Sequence, residues 1–291
     1  MSDPKELDSR QWQDRTDAYR QRLELFLAPL LARVAAGDPV PKFLFSYYRL
    51  RPPQLRCWHP GFGVTLTGRA AVRAYRGRRG YRIADQRVGV THTFLHGREA
   101  TLRFVAGLLR ATAARPAQLN CFGLHEWAML YRSTAARHGQ VPLRLSGAAV
   151  DAVVEAAPLR CTHFDAVRFF TADAVPRNTV TPSRADQANS EQPGCLHANM
   201  DLYKWCYKLS PLIDSDLLLD CLELAAAARE VDMRASPYDL TDYGYAPIGV
   251  ENPAGRAEYA RCQSAVAARA APLRTALLSR CDRLLQVAGC E

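Results

Sequence analysis

The sequence predicts a helix-rich α+β fold, with residues 1–291 forming a single compact domain that has a small region of short strands. Long segments carry apolar residues at helical spacing, whereas only a few short segments show the extended pattern and glycine turns of strands. Hydrophobic residues make up 48% and charged residues 23% of the 291 residues, as in an ordinary globular protein. A chain of this length can bury a substantial core.

The N-terminal segment, residues 6–37, is predicted to form one long amphipathic helix. Apolar side chains recur at helical spacing from Trp12 to Leu30, and Gly37 marks the end of the pattern. Pro29 predicts a kink late in this helix, because proline removes a backbone hydrogen bond.

The following basic segment, residues 64–115, is predicted to mix strands and a helix. Short extended stretches separated by glycine turns are expected at 64–68, 81–90 and 91–97. A helix is expected from Glu99 to Ala114.

The remainder, residues 116–291, is predicted to be helical and to form a pocket. Helices are expected at 120–132, 195–209, 214–230 and 253–288. Residues 181–194 have the composition of a linker. Residues 232–259 are predicted to form a long ordered loop that either covers a pocket or packs against the C-terminal helix.

Positive charge is concentrated in the segment from Arg69 to Arg115. This segment contains eleven arginines and no lysine, and its only acids are Asp85 and Glu99, so it carries the whole net charge of +9. A localised basic block favours contact with phosphates, and DNA is therefore a candidate partner. The alternative is a solvated arginine-rich surface.

No apolar run approaches the length of about 18–20 residues that is needed to cross a bilayer, and no membrane partner is expected. The N-terminal residues are polar and do not resemble a secretory signal, so a cytoplasmic location is predicted. Nine cysteines without a CxxC pair are interpreted as small buried hydrophobic residues.

Four segments place a histidine close to a cysteine and beside aromatic residues, and we expect them to line one pocket. They are CWHPG (57–61), CFGLHEW (121–127), CTHFDAVRFF (161–170) and GCLHANMDLYKW (194–205).

One interpretation of this pocket is a site for a divalent transition metal. His197 and Asp201 are four residues apart on a predicted helix and share a face. Together with His125 and His163 they offer four ligands from three distant segments, as catalytic metal sites often do. The segment HEWAM does not match the zinc-protease motif, because Met129 stands where the second histidine is required.

A second interpretation is a pocket that cleaves an N-glycosidic bond and requires no cofactor. Such chemistry needs a carboxylate to stabilise the sugar cation and a donor to the departing base. Glu126 and Asp165 are the candidate carboxylates, and His125 and His163 are the candidate donors. The candidate substrate-binding residues, chosen to stack on or hold a flipped base, are Trp127, Phe164, Arg168, Asn199, Tyr203 and Trp205.

The chain also resembles a family of actinobacterial proteins that carries the name 3-methyladenine DNA glycosylase. The matching segments, which are spread over most of the chain, are FLFSYYRLRPPQLRCWHPG, CFGLHEWAML, CTHFDAVRFF, GCLHANMDLYKW and DMRASPYDL. The resemblance implies a DNA N-glycosylase-like hydrolase that excises alkylated purine bases in DNA repair.

Three hypotheses follow from the sequence. The first is the DNA glycosylase, with the arginine block following the phosphates. The second is a metal-dependent enzyme that acts on a small molecule. The third is a non-catalytic partner protein.

Overall fold

The computed structural model describes residues 5–133 and 141–289, and the helix-rich α+β fold class is confirmed. The four strands are β1 (Lys5–Leu7), β2 (Val64–Thr67), β3 (Tyr81–Ala84) and β4 (Arg87–Val90). The α-helices are α1 (Ser9–Ala35), α2 (Pro39–Ser46), α3 (Pro52–Leu55), α4 (Arg69–Tyr75), α5 (His92–His96), α6 (Glu99–Ala113), α7 (Leu124–Ala128), α8 (Gly147–Ala156), α9 (Phe164–Val167), α10 (Gln187–Ser190), α11 (Leu196–Leu209), α12 (Ser215–Arg234) and α13 (Pro253–Ala288). Within these described ranges, no helix combines the length and the apolar character that a membrane crossing requires.

The described residues fall into two compact units. Unit 1 consists of residues 5–107, 202–223 and 273–289, and unit 2 consists of residues 108–133, 141–201 and 224–272. Each unit is therefore assembled from distant parts of the chain. The single domain over residues 1–291 stays a prediction.

Unit 1 contains the small sheet, with strand order β1-β2-β4-β3. Strand β1 is parallel to β2, and the other two pairs are antiparallel. Leu66 of β2 lies opposite Val88 of β4, and both side chains are completely buried. The extended stretch predicted at 91–97 is wrong: it forms α5, because the Thr91 side chain accepts a hydrogen bond from the backbone of Phe94 and caps a helix there.

Helix α1 matches the predicted N-terminal helix. Asp8 caps it and forms a capping box with Gln11, which satisfies backbone donors at the first turn. Leu23 and Leu27 are completely buried, and Pro29 lies within the helix near its C-terminal end.

Unit 2 differs from the predicted elements in two segments. The helix expected at 120–132 is reduced to α7, because Phe122 and Gly123 adopt positive φ angles that are incompatible with a helix. The linker expected at 181–194 is also wrong, since this segment forms α10 and buries both Gln187 and Glu191. Polar residues here lie inside the unit, where composition alone would place them in solvent.

The loop within residues 232–259 packs against other parts of unit 2. Tyr238 pairs with Leu143 in an isolated bridge, and Arg144 makes a two-pronged ion pair with Glu251 at 2.6 and 2.7 Å. Ile248 is completely buried. These contacts fix the chain that follows the C-terminal end of α12.

Candidate metal centre

Helix α7 carries His125 and Glu126 into the interior of unit 2. Gly123 precedes the helix with φ +67°, and a Cβ atom at this position would lie 3.3 Å from both Ala235 and Tyr259. The indole of Trp127 donates a hydrogen bond of 2.9 Å to the carbonyl of Ala235. This turn and this anchor hold the short helix in place, with His125 and Glu126 both buried.

Helices α11 and α12 supply the residues that face α7. His197 and Asp201 lie one turn apart on α11, and Arg229 and Asp232 lie one turn apart on α12. Asp201, Arg229 and Asp232 are buried, although charged residues are seldom buried without a partner.

His125, His197 and Asp232 form the first triad. Nε2 of His125 lies 2.8 Å from Oδ1 of Asp232, and Nε2 of His197 lies 3.8 Å from Oδ2 of Asp232. One ligand atom from each residue lies within 4.8 Å of the others. Ligand atoms around an ion with bonds of about 2.1 Å are separated by about 3.0–3.4 Å. The separations of 2.8 and 3.8 Å lie on either side of this range, so small shifts of the side chains would place all three ligand atoms around one ion.

Nε2 of His125 and Oδ1 of Asp232 lie within hydrogen-bond distance and form an ion pair when His125 is protonated, but the hydrogen bond between them is poorly aligned. Both atoms are buried, and neither has a well-aligned hydrogen-bond partner among the described residues. A buried polar atom without a partner costs about 1–3 kcal/mol. An ion bound between these two atoms would remove that cost.

Electrostatics keep His197 and Asp232 in the forms that bind a metal, whereas the proton favoured on His125 has to leave when an ion binds. Burial lowers the pKa of His197 to about 3, so this imidazole is neutral and retains a lone pair. Burial opposes ionisation of Asp232, but His125 and His197 outweigh it and hold the pKa of Asp232 far below its usual range. For His125 burial would lower the pKa, but the carboxylate of Asp232 prevails and raises it.

Arg229 links the first triad to Glu126. Its Nη1 atom donates to Oδ2 of Asp232 at 2.6 Å and to Oε1 of Glu126 at 2.9 Å. Arg229 thereby occupies one oxygen of Asp232 and leaves Oδ1 directed towards His125. Hydrogen bonds that a metal ligand receives from residues that do not themselves bind the metal hold that ligand in its orientation.

His163, Glu191 and Asp201 form the second triad, and all three are buried. Nε2 of His163 lies 3.3 Å from Oδ2 of Asp201 and 3.4 Å from Oε1 of Glu191. His163 directly precedes α9, Glu191 directly follows α10, and Asp201 belongs to α11. Three separate segments thus converge on one position.

His197 is adjacent to both triads. Its ring centroid lies 4.5 Å from that of His125 and 5.3 Å from that of His163. The two triads are therefore neighbours, and we call the six residues together the histidine–carboxylate cluster. The four ligands suggested by sequence, His125, His163, His197 and Asp201, all belong to it.

The other predicted site residues have different surroundings. Asp165 forms ion pairs with Arg184 and, at 3.6 Å, with Arg168. Arg184 also lies over the ring of Phe164, and the side-chain amide of Asn199 donates to the carbonyl of Pro193.

Among the aromatic candidates, Trp127 is completely buried in unit 2. Tyr203 and Trp205 are buried and belong to unit 1, as does His59 of the segment CWHPG, whose ring contacts the hydroxyl of Tyr81.

Sequence reasoning missed Asp232 and Glu191 as site residues. The helix predicted from sequence ends at residue 230 and leaves Asp232 at the start of a loop, whereas α12 extends to Arg234 and carries Asp232 one turn after Arg229. An acid and a base at this spacing in the alanine-rich run AAAAREVD were the available signal. Glu191 had no comparable signal, because its segment is polar throughout.

The arginine block presents charge at the surface. Nine of its eleven arginines are exposed, and Arg98 and Arg115 are half-buried. Within unit 1, Arg79 and Arg98 line a cavity of about 300 Å³ and both face the ring of Phe94. Some of the charge is neutralised locally, as in the pairs Arg87–Glu6 and Arg103–Glu99.

Comparisons of this chain with protein-family models, with curated proteins and with solved structures found no match.

Proposed function

We propose that this protein is a metal-dependent enzyme whose first triad, His125, His197 and Asp232, binds a divalent transition-metal ion. The observation that carries the proposal is the pair of buried atoms, Nε2 of His125 and Oδ1 of Asp232, which lie 2.8 Å apart without a well-aligned hydrogen bond to each other or to another described residue. Two imidazole nitrogens and one carboxylate are a ligand set that zinc and non-haem iron accept, and His125 would release its proton when the ion binds.

The local charge balance supports a bound cation. Glu126, Asp232, Glu191 and Asp201 are buried carboxylates of unit 2, and Arg229 is the buried cation among them. With neutral imidazoles these side chains carry three more negative than positive charges, an excess that a divalent ion reduces.

Three protein ligands leave coordination positions for water and substrate, as in catalytic metal sites. An ion so placed lowers the pKa of bound water and polarises a substrate oxygen. The side chain of His197 is 14% exposed, whereas those of His125 and Asp232 are 5% and 0% exposed. A reactant would therefore reach the ion from the side of His197, and the slight exposure there favours a small molecule.

Metal analysis of the purified full-length protein tests the proposal. We expect at least one transition-metal ion per chain after loading with Zn²⁺, Fe²⁺ or Mn²⁺ and removal of the excess. His125→Ala and Asp232→Asn should each reduce retention at this site by at least about tenfold, since both remove a ligand.

His92→Ala is the matched control, because His92 is an exposed histidine of unit 1. It should leave the metal content unchanged. A wild-type chain that retains none of these metals would overturn the proposal. So would retention that is the same in the His125→Ala and wild-type proteins.

Base excision from DNA stays a prediction, together with the family resemblance and the cytoplasmic location. The exposed arginines favour contact with DNA phosphates. Both predicted carboxylates are bound to arginines, Glu126 to Arg229 and Asp165 to Arg184, and this favours the metal proposal instead. Base excision would be favoured if the protein released 3-methyladenine from alkylated DNA without a metal and if Asp165→Asn abolished this release.

A further inference from the structure

We infer that the second triad, His163, Glu191 and Asp201, binds a second divalent cation, so that the histidine–carboxylate cluster is a dinuclear metal centre. This inference rests on the proposed function, because the second site adjoins the first.

The spacing of the second triad is the first support. The two carboxylate oxygens lie 3.3 and 3.4 Å from Nε2 of His163. These separations agree with the value of about 3.0–3.4 Å expected between ligands of one ion with bonds near 2.1 Å. The oxygens of Glu191 and Asp201 also lie within 4.8 Å of each other. Nε2 of His163 is hydrogen-bonded to Asp201 and can share one proton between the two carboxylates. A divalent cation in place of that proton would offset the repulsion of the two buried anions more fully.

The surroundings of the second triad hold its ligands in position. The side-chain amide of Gln187 donates a hydrogen bond of 2.6 Å to Oε1 of Glu191. Arg115 donates to the backbone carbonyl of Glu191, which fixes the chain immediately after α10. Hydrogen bonds of this kind orient ligating carboxylates.

The position of His197 connects the two triads. Its ring is stacked on the ring of His163, with an interplanar angle of 26°, and it meets the ring of His125 edge-on. His197 supplies a ligand to the first triad, and Asp201, one turn later on α11, supplies a ligand to the second. Two ions held in this way act together on one substrate, as in enzymes whose metals are about 3.5–4 Å apart.

The two sites differ in donor chemistry. The first has two nitrogens and one carboxylate, and the second has one nitrogen and two carboxylates. Carboxylate-rich sites suit harder ions such as Mn²⁺. Two divalent ions convert the charge excess of −3 on the four buried carboxylates and Arg229 to +1, so we expect the bound reactant to be an anion with oxygen donors, such as a phosphate or a carboxylate.

A titration of the metal-free full-length protein with Mn²⁺ tests this inference, with electron paramagnetic resonance as the readout. We expect two ions per chain in the wild type and a spectrum of two magnetically coupled ions. Glu191→Gln should retain one ion and give the spectrum of an isolated ion. His163→Asn serves as a second variant, and Glu230→Gln, an exposed carboxylate of α12, is the matched control.

The outcomes separate this inference from the proposed function. One ion in the wild type, retained in Glu191→Gln and lost in His125→Ala, would overturn the second site and leave the first. Two ions without magnetic coupling would overturn the dinuclear centre. No bound Mn²⁺ would overturn the dinuclear centre, and the proposed function would fall with it only if Zn²⁺ and Fe²⁺ were not retained either. Circular dichroism of each variant shows whether it is folded before the metal is counted.

Discussion

Two arginines, one in each unit, make nearly the same contacts in different surroundings. Arg22 of unit 1 bridges Asp220 and Glu223 at 2.6 and 2.8 Å, with its side chain 43% exposed. Arg229 of unit 2 bridges Asp232 and Glu126 at 2.6 and 2.9 Å, with its side chain 1% exposed. The bond lengths do not distinguish these two bridges, but the exposure to water does.

This difference extends to the two units. The interior of unit 1 is built from residues such as Leu23, Leu44 and Leu66, and many of its charge pairs lie at the surface. Unit 2 buries both triads and the Arg229 bridge. Burying charge lowers stability unless something compensates for the lost hydration. Unit 2 therefore has the arrangement expected of a binding site, and unit 1 that of an ordinary folded core.

The largest effect is expected from replacing Arg229, and the same replacement of Arg22 is the matched comparison. Arg229→Met leaves Glu126 and Asp232 without their buried cation and should lower the free energy of unfolding by about 3–5 kcal/mol. Arg22→Met should lower it by no more than about 1 kcal/mol, because water screens the exposed pairs. Denaturant unfolding of both variants measures the contrast. Equal losses in the two variants would contradict the distinction between the units.

A smaller effect is expected from adding metal. A ligand that binds only the folded state at 100 times its dissociation constant stabilises that state by about 2.7 kcal/mol. Zn²⁺ or Mn²⁺ should therefore raise the thermal midpoint of the wild-type protein by several degrees. Asp232→Asn should reduce this rise, whereas Asp220→Asn, which alters the surface bridge in unit 1, should preserve it. A rise of the same size in both variants would show that the metal stabilises the protein at another position.

The sequence was sufficient for elements whose pattern is local. The long helices α1, α6, α11 and α13 match the predicted ranges closely, because their apolar residues repeat at helical spacing over several turns. The segment at 91–97 was predicted as extended but forms α5. The short length of this segment and the glycine at its end suggested an extended stretch and a turn, but they did not outweigh a single threonine cap.

The site was only partly predictable, because it depends on contacts between distant segments. His125, His163 and His197 are recognisable in sequence, as each follows closely on a cysteine and lies near aromatic residues. Glu191 is recognisable only in three dimensions, where it meets His163. Neither the pairing of ligands into triads nor the binding of Glu126 to Arg229 and of Asp165 to Arg184 has a local signature, and only the pair of Asp165 with Arg168, three residues away, does.

A third prediction compares two glycines with similar backbone angles. Gly123 of unit 2 has φ +67° and Gly77 of unit 1 has φ +71°, so alanine is strained by about 1–2 kcal/mol at either position. A Cβ atom at Gly123 would also crowd Ala235 and Tyr259 at 3.3 Å, whereas nothing lies within 4 Å at Gly77. Gly123→Ala should therefore lower stability more than Gly77→Ala, by about 1 kcal/mol, and should weaken metal binding through His125. The prediction would be wrong if Gly77→Ala lowered stability more than Gly123→Ala did, or if only Gly77→Ala changed metal binding.

The smallest effect is expected in unit 1, from the pH dependence of stability. Burial, with a smaller contribution from Arg78, lowers the pKa of His59 to about 4, compared with about 6.5 in an unfolded chain. Between these values the unfolded state binds more protons, so stability is fully present above pH 6.5 and falls as the pH drops towards 4.

His59→Gln removes this titration. The free energy of unfolding that is lost between pH 6.5 and 4 should therefore be smaller than in the wild type by about 1 kcal/mol, a modest difference because the ring is only partly buried. Denaturant unfolding at several pH values measures the two slopes, with His92→Gln as an exposed control that should retain the wild-type slope. If His59→Gln and the wild type lose stability equally over this interval, the neutral buried imidazole does not contribute, and the pH dependence of unit 1 arises from its carboxylates.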